Sequence, residues 1–374
     1  MFTVILHLNS LRYLVPAGMM VGCAPVYLRA FFGCHALKYV LPVRWYQTLE
    51  DTVWGTFQRV VEFFFEHYTG VEVILYGDAE ECLSKKENVI YLSNHQSTLD
   101  WVATDMLASR AGCLGRVRYV VKDGLKYLPL YGYVFYLHGC IFVNRAKSRQ
   151  AAPPSFTKVI KQLKHHRDYN IPSWMVVFPE GTRFRPEKEE VIKTSQGFAY
   201  QQGLPVLHHV LSPRVRATHL CVEGFRDSAD TLYDVTIAYS NTGEEGKGPV
   251  VRREAPSMPD FLMGKCPRVH IHMRRIALET IPSDIVECHR WLHGVFETKD
   301  RMLADFYSED PEKRGRLEGE GQRSTLGLMT TLPAMALSAA CMVPFIMVAE
   351  QRRAYWQLWL YGVTFTLLWM KIAV

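Results

Sequence analysis

With 374 residues, 48% of them hydrophobic and 21% charged, the chain can bury a sizeable core and still carry membrane-embedded sequence. A formal net charge of +6, spread without a basic stripe, argues against nucleic acid and suits anionic lipid surfaces or phosphorylated substrates. Nine scattered cysteines with no C-x-x-C pair, and no N-x-[ST] sequon, lean toward reduced thiols and a site facing the cytosol or another reducing space.

Residues 1–28 contain a single formal charge, Arg12, and residues 13–28 form an uncharged run interrupted by Pro16, Gly18, Gly22 and Pro25. The basic–apolar–small order of a cleaved signal peptide is missing. Residues 1–45 therefore read as a membrane-embedded segment, either one inserted helix or a re-entrant helical pair. Arg29, Lys38 and Arg44 follow the run, so the positive-inside rule directs the rest of the chain to the cytosol.

Residues 46–307 alternate strand and helix patterns. "NVIYLSN" reads as strand and "STLDWVATDMLASR" as helix, with further strands at "VRYVV" and "GCIFVNR". A helix is expected at about 155–166, with Val159, Ile160 and Leu163 on one face. "SWMVVFPEG" reads as strand, and residues 187–202 as a helix ended by Gly203. "LPVLHHV", "LYDVTIAYS" and "PRVHIHMRRI" complete the strands. The alternation predicts an α/β domain whose mainly parallel sheet is flanked by helices on both faces. Cys266, His270 and His272 invite a zinc reading. The alternation of Val269, Ile271 and Met273 with those histidines describes a half-buried strand more simply.

Residues 308–325 are rich in glycine and charge and read as an exposed linker. Residues 326–349 run 24 positions without a charge, about 36 Å as helix, and residues 354–370 form a second uncharged run. With the charged turn at 350–353 between them, residues 326–374 predict a transmembrane helical hairpin, Trp356, Trp359 and Trp369 lying near interfaces. Two buried soluble helices are the alternative.

Three stretches could carry chemistry. In "VIYLSNHQSTLDW", His95 and Asp100 would stand about 140° apart on one helix, so they meet only across a strand–helix turn. Ser97 and Asp100 match a capping box, with Ser97 as N-cap and Asp100 at N3. Taken alone, the stretch fits a capped helix beside a solvent-facing histidine, and it also fits a base with an orienting carboxylate. The second stretch, "FPEGTR" at 178–183, follows an apolar strand, where α/β folds bind ligands. Gly181 permits close backbone approach, and Arg183 can grip two phosphate or carboxylate oxygens. A surface ion pair between Glu180 and Arg183 is the plainer reading. The third, "GCIFVNR", ends in Arg145, which is equally placed to meet an anion.

Together these stretches resemble, in order and spacing, the first three motifs of the glycerolipid acyltransferases. These are the H-x4-D enzymes that move acyl groups from acyl-CoA to glycerol phosphates. Residues 206–213, an apolar stretch interrupted by two histidines and ending at Pro213, resemble the fourth motif. "KDGLKYLPLYG" resembles the family's segment between the first two. The resemblance covers roughly residues 88–293. Through "ENVIYLSNHQSTLDW", "LYDVTIAY" and the C-terminal runs it reaches the branch that acylates the sn-2 hydroxyl of lysophosphatidate to phosphatidate.

This resemblance implies His95 as general base, Asp100 as its orienting partner, and substrate-binding roles for Asn94, Arg145, Glu180, Gly181, Thr182 and Arg183. It implies acyl-CoA as co-substrate, no metal or other cofactor, and a multi-pass protein of endoplasmic reticulum, nuclear envelope or mitochondrion. With no G-x-S-x-G elbow and no cysteine beside a matching histidine, a covalent acyl-enzyme lacks a nucleophile, which favours direct attack in a ternary complex. The same residues would serve a sibling acyltransferase acting on glycerol 3-phosphate or another lysophospholipid, or a CoA-independent transacylase. A phosphoesterase would need a metal or a phosphoenzyme nucleophile. A non-enzymatic lipid-binding scaffold is the alternative of a different class.

Overall fold

The structure, a computed structural model, describes residues 2–143, 164, 168–169, 173–244 and 251–373. Arg145 and the helix expected at 155–166 lie outside these residues.

The chain opens with helix α1 (Phe2–Leu37), which runs through Pro16 and Pro25 without a break. Its 27 residues Leu11–Leu37 are long and apolar enough to cross a membrane, as one helix and not a re-entrant pair. Helix α2 (Val43–Glu62) follows, then a wide π turn (Phe63–Tyr68) that feeds the sheet through Gly70, at φ +70°. The α/β core then proceeds as β1 (Glu72–Gly77), α3 (Ala79–Ser84), β2 (Val89–Ser93), α4 (Asp100–Arg110), β3 (Val117–Lys122), α5 (Tyr131–His138) and β4 (Ile141–Val143). It continues with β5 (Trp174–Val177), α6 (Glu189–Gln201), α7 (Val215–Phe225), β6 (Thr231–Tyr239), β7 (Gly243–Glu244), β8 (Val251–Arg252) and α8 (Met258–Leu262). Last come β9 (Arg268–Ala277), α9 (Ile285–Phe306), β10 (Gln322–Ser324), α10 (Leu332–Met347) and α11 (Ala349–Ala373).

Eight strands form one sheet in the order β10-β1-β9-β6-β2-β5-β3-β4. The block β6-β2-β5-β3-β4 and the pair β1-β9 are parallel, whereas β10-β1 and β6-β9 are antiparallel. The sheet is therefore mixed. A parallel neighbour needs a long crossover, and between β6 and β9 the described chain offers only the five-residue α8 as helix, so β9 returns antiparallel. β2 and β6 are buried at every position, as central strands covered on both faces must be. One face packs on α4 and the π turn, the other on α7 and α9. A third cluster joins Leu28 and Phe31 of α1, Trp54 of α2, Val134 and Leu137 of α5, and Met370 of α11. The N-terminal helix is thus packed into the domain, not merely tethered to it.

Several expectations are corrected. "LPVLHHV" forms no strand, because its amides are taken by side chains. Asp300 accepts from the backbone N–H of His208, His209 and Val210, and Glu180 from that of Leu211. β9 is buried on both faces over residues 269–273, not half-buried there. His270 meets the Tyr76 hydroxyl at 2.8 Å through Nδ1, while the Cys266 thiol donates to the Arg268 carbonyl. The span read as linker contributes β10, which pairs with β1. At the C-terminus the helix begins at Leu332, six residues into the apolar run. α10 and α11 meet at 111° across Val348, the geometry of a broken span or a re-entrant loop.

Candidate active site

β2 and β5 are parallel neighbours, with Leu92 opposite Val177, so the turns that follow them emerge side by side at the C-terminal edge of the sheet. The first turn carries His95 and the second Glu180 to Arg183. α4 starts at Asp100, not at Ser97, and has no side-chain N-cap. The reason is that Asp100 serves the turn before it. Its Oδ2 accepts from His95 Nδ1 at 2.7 Å and from the backbone N–H of Gln96 and Ser97 at 2.7 and 2.9 Å. Its Oδ1 accepts from the Tyr239 hydroxyl at 2.8 Å. Ser97 instead accepts from Leu99 N and donates to the Pro256 carbonyl.

Asp100 is fully buried and held by four donors, a setting that keeps a carboxylate fixed. An acceptor-only partner assigns the proton of the neutral His95 ring to Nδ1, leaving Nε2 as the free acceptor. The His95 side chain is 25% exposed, lies 4.8 Å from the Phe178 ring, and borders a cavity of about 1920 Å³.

The main chain of His95 is fixed as firmly as its ring. Its N–H donates to Glu180 Oε1 at 2.6 Å, and its carbonyl accepts from Phe184 N at 2.7 Å. Glu180 Oε2 accepts from Leu211 N at 2.9 Å, so one buried carboxyl stitches three turns. Burial pushes its pKa up to about 8, while the two backbone N–H groups pull it down. Because this side chain points inward, the surface ion pair with Arg183 does not form. Asn94 is likewise spent: its amide donates to the Ile237 carbonyl at 3.0 Å and accepts from Ile237 N at 2.8 Å. Asn94 and Glu180 thus hold the turns that carry the site, and Glu180 also lines the cavity.

Gly181 takes φ +68°, a left-handed conformation open to glycine at little cost, and turns Thr182 and Arg183 onto the cavity wall. Among the described residues Arg183 has no carboxylate partner. Lys122 and Arg214 share that wall. The same cavity is lined by Tyr27, Leu28 and Phe31 of α1. The arrangement offers a base, a guanidinium for an anion, and room for long apolar chains.

Tyr239, Gln96, Leu211 and Arg252 also shape the site, and the sequence reading missed them. "LYDVTIAY" reads as a strand, but nothing in local spacing ties Tyr239 to a carboxylate 139 residues away. Elsewhere, Glu50, Asp51 and His138 could hold a metal by distance. The Arg118 guanidinium already sits there, 2.8 Å from Asp51 Oδ1 and 3.5 Å from Glu50 Oε2.

Residues 77–211 match the model of the Acyltransferase family, and residues 260–332 that of the acyltransferase C-terminus. The chain is 41% identical to mouse (Mus musculus) 1-acyl-sn-glycerol-3-phosphate acyltransferase epsilon over 373 residues, covering all of this chain and 99% of that one. It is 32% identical to probable 1-acyl-sn-glycerol-3-phosphate acyltransferase 5 of Arabidopsis thaliana, over 80% of this chain and 74% of the relative. The mouse delta form is 32% identical over 65% of this chain and 59% of the relative. With a full-length relative of that similarity, the chain belongs to the 1-acyl-sn-glycerol-3-phosphate acyltransferase family.

Proposed function

We propose that the enzyme transfers an acyl group from acyl-CoA to the sn-2 hydroxyl of 1-acyl-sn-glycerol 3-phosphate, giving phosphatidate and CoA. His95 Nε2 takes the hydroxyl proton as the oxygen attacks the thioester carbonyl. The C–O bond forms, the C–S bond breaks, and the proton passes from imidazolium to the departing thiolate. Asp100 holds the ring and stabilises the imidazolium. Arg183, with Arg145, grips the acceptor phosphate by its fork. No acyl-enzyme, metal or further cofactor enters this scheme, in which acyl-CoA is a co-substrate.

The observation that carries this reading is a histidine whose Nδ1 is held by a four-donor carboxylate while its ring borders the cavity that Arg183 also lines. The apolar reach of that cavity toward α1 supports entry of both lipids from a bilayer. The wider reading is a multi-pass protein of endoplasmic reticulum, nuclear envelope or mitochondrion whose catalytic domain faces the cytosol.

The test is a mass-resolved acyl-transfer assay on purified protein with a panel of lysophospholipids, glycerol 3-phosphate and acyl-CoAs. Phosphatidate is the expected product, and His95→Ala should lower turnover by about 10²–10⁴-fold. Near-full transfer by His95→Ala would reject the base role. A preference for another acceptor would move the reading to a sibling activity.

A further inference from the structure

The 94–97 turn presents His95 to the cavity, and a distant stretch of chain holds it from another side. Residues 252–256 meet the site at every second position, as an extended chain does. Arg252 Nη2 donates to Gln96 Oε1 at 2.7 Å, Glu254 pairs with Arg185 at 3.1 Å, and the Pro256 carbonyl accepts from Ser97 Oγ at 2.7 Å.

Arg252 is the centre of this strap. Its Nη1 donates to the His209 carbonyl at 2.7 Å. Its guanidinium carbon lies 4.3 Å from the centre of the Phe184 ring and 4.5 Å from that of Tyr307. Such faces attract a cation, and a planar guanidinium between two of them keeps its fork aimed in one direction. No carboxylate pairs with Arg252 among the described residues. One side chain thus ties together the turn after β2, the turn after β5, the 204–214 segment and the end of α9.

Gln96 passes this restraint to the reacting groups. Its Nε2 donates to the Ile237 carbonyl at 2.6 Å, and its backbone N–H is one of the four donors to Asp100. The peptide that carries this N–H is the one that joins Gln96 to His95.

We propose that Arg252 is a positioning residue for acyl transfer, fixing through Gln96 the turn in which His95 meets Asp100. The proposal rests on the reading of His95 as base. A displacement of about 1 Å in such a site costs on the order of 10²-fold in rate, so loosening this turn reaches turnover without touching substrate affinity.

The experiment compares Arg252→Ala, Arg252→Lys, Gln96→Ala and the double variant Arg252→Ala/Gln96→Ala as full-length purified protein. Expected is a fall in kcat of about 10–10²-fold for Arg252→Ala, with KM for lysophosphatidate and for acyl-CoA each within about twofold. Arg252→Lys should fall part of the way, since an ammonium keeps the charge but loses the fork and the stacking. It carries the test if the alanine variant does not fold. Residues acting as one unit are non-additive, so the double variant should be no slower than the slower single variant. A many-fold rise in KM for lysophosphatidate with kcat kept would make Arg252 a phosphate ligand and overturn the proposal. Losses that multiply in the double variant would overturn it too. His95→Ala is measured alongside: full turnover there sinks the base reading, whereas multiplied losses beside an inactive His95→Ala sink only the Arg252 proposal.

Discussion

Among the described residues, two short histidine–carboxylate pairs have almost the same geometry. His95 Nδ1 lies 2.7 Å from Asp100, and His138 Nδ1 lies 2.6 Å from Glu50. They differ in what the other ring nitrogen meets. His138 Nε2 is bonded to the Val117 carbonyl at 3.0 Å, and its ring is stacked 4.0 Å over Trp54 with no exposure. The His95 ring has a quarter of its side chain exposed to a cavity that is also lined by an arginine. A short bond to a carboxylate therefore does not mark a base. The proposed base role needs an open second nitrogen, which His95 has, whereas the closed pair is a strut between α2, β3 and α5.

The sharpest break of this comparison is reciprocal. His95→Ala should remove turnover and leave thermal unfolding nearly in place. His138→Phe should keep the stack on Trp54 but strand Glu50 and the Val117 carbonyl, costing on the order of 3 kcal/mol in unfolding while the folded fraction stays active. Loss of turnover with unchanged stability in His138→Phe would erase the distinction.

The same variant has a pH signature. Burial and the Arg118 charge hold the His138 pKa well below its ordinary value, so in the folded protein the ring is neutral where the unfolded chain protonates. Its contribution is lost as pH falls below about 6.5, the unfolded value. Glu50 has the opposite sign. Burial raises it to about 7, so its ionisation withdraws stability as pH climbs from the unfolded carboxylate range toward 7. The two slopes oppose one another. Stability of His138→Phe relative to wild type should therefore decline as pH rises toward 6.5, and a parallel pair of pH–stability curves would contradict the assignment.

Smaller effects probe the open pair. Tyr239→Phe removes the only donor on Asp100 Oδ1 among the described residues and should slow turnover about tenfold with little change in KM, as expected for one hydrogen bond to a charged group. A KM change without a kcat change would place Tyr239 against substrate. Arg183→Lys should raise KM for the phosphorylated acceptor several-fold, because lysine cannot reproduce a bidentate grip. An unchanged KM moves the phosphate elsewhere.

The strand ends carrying His95 and Arg183 were legible because each lies beside a short apolar run, and two parallel neighbours bring such ends together without further information. The helix start was misread because Asp100 fits a cap in sequence. In the fold its carboxylate is drawn to the His95 ring and to amides upstream of the helix. Residues 204–210 looked like a strand because the run is apolar, and only the distant Asp300 shows where their N–H groups go. Tyr239 and Arg252 reach the site across 139 and 156 residues, a separation on which local pattern is silent. The C-terminal runs were legible as apolar, yet composition does not report the angle at which two helices meet.

The packing of α1 against the cavity has a mechanical consequence. A helix longer or shorter than the hydrocarbon around it changes its tilt. Tyr27, Leu28 and Phe31 line the cavity from α1, which has the length and apolarity of a membrane span. With α1 in a bilayer, lipid thickness would set the position of one wall of the cavity that His95 borders, and the membrane would become part of the enzyme's dimensions.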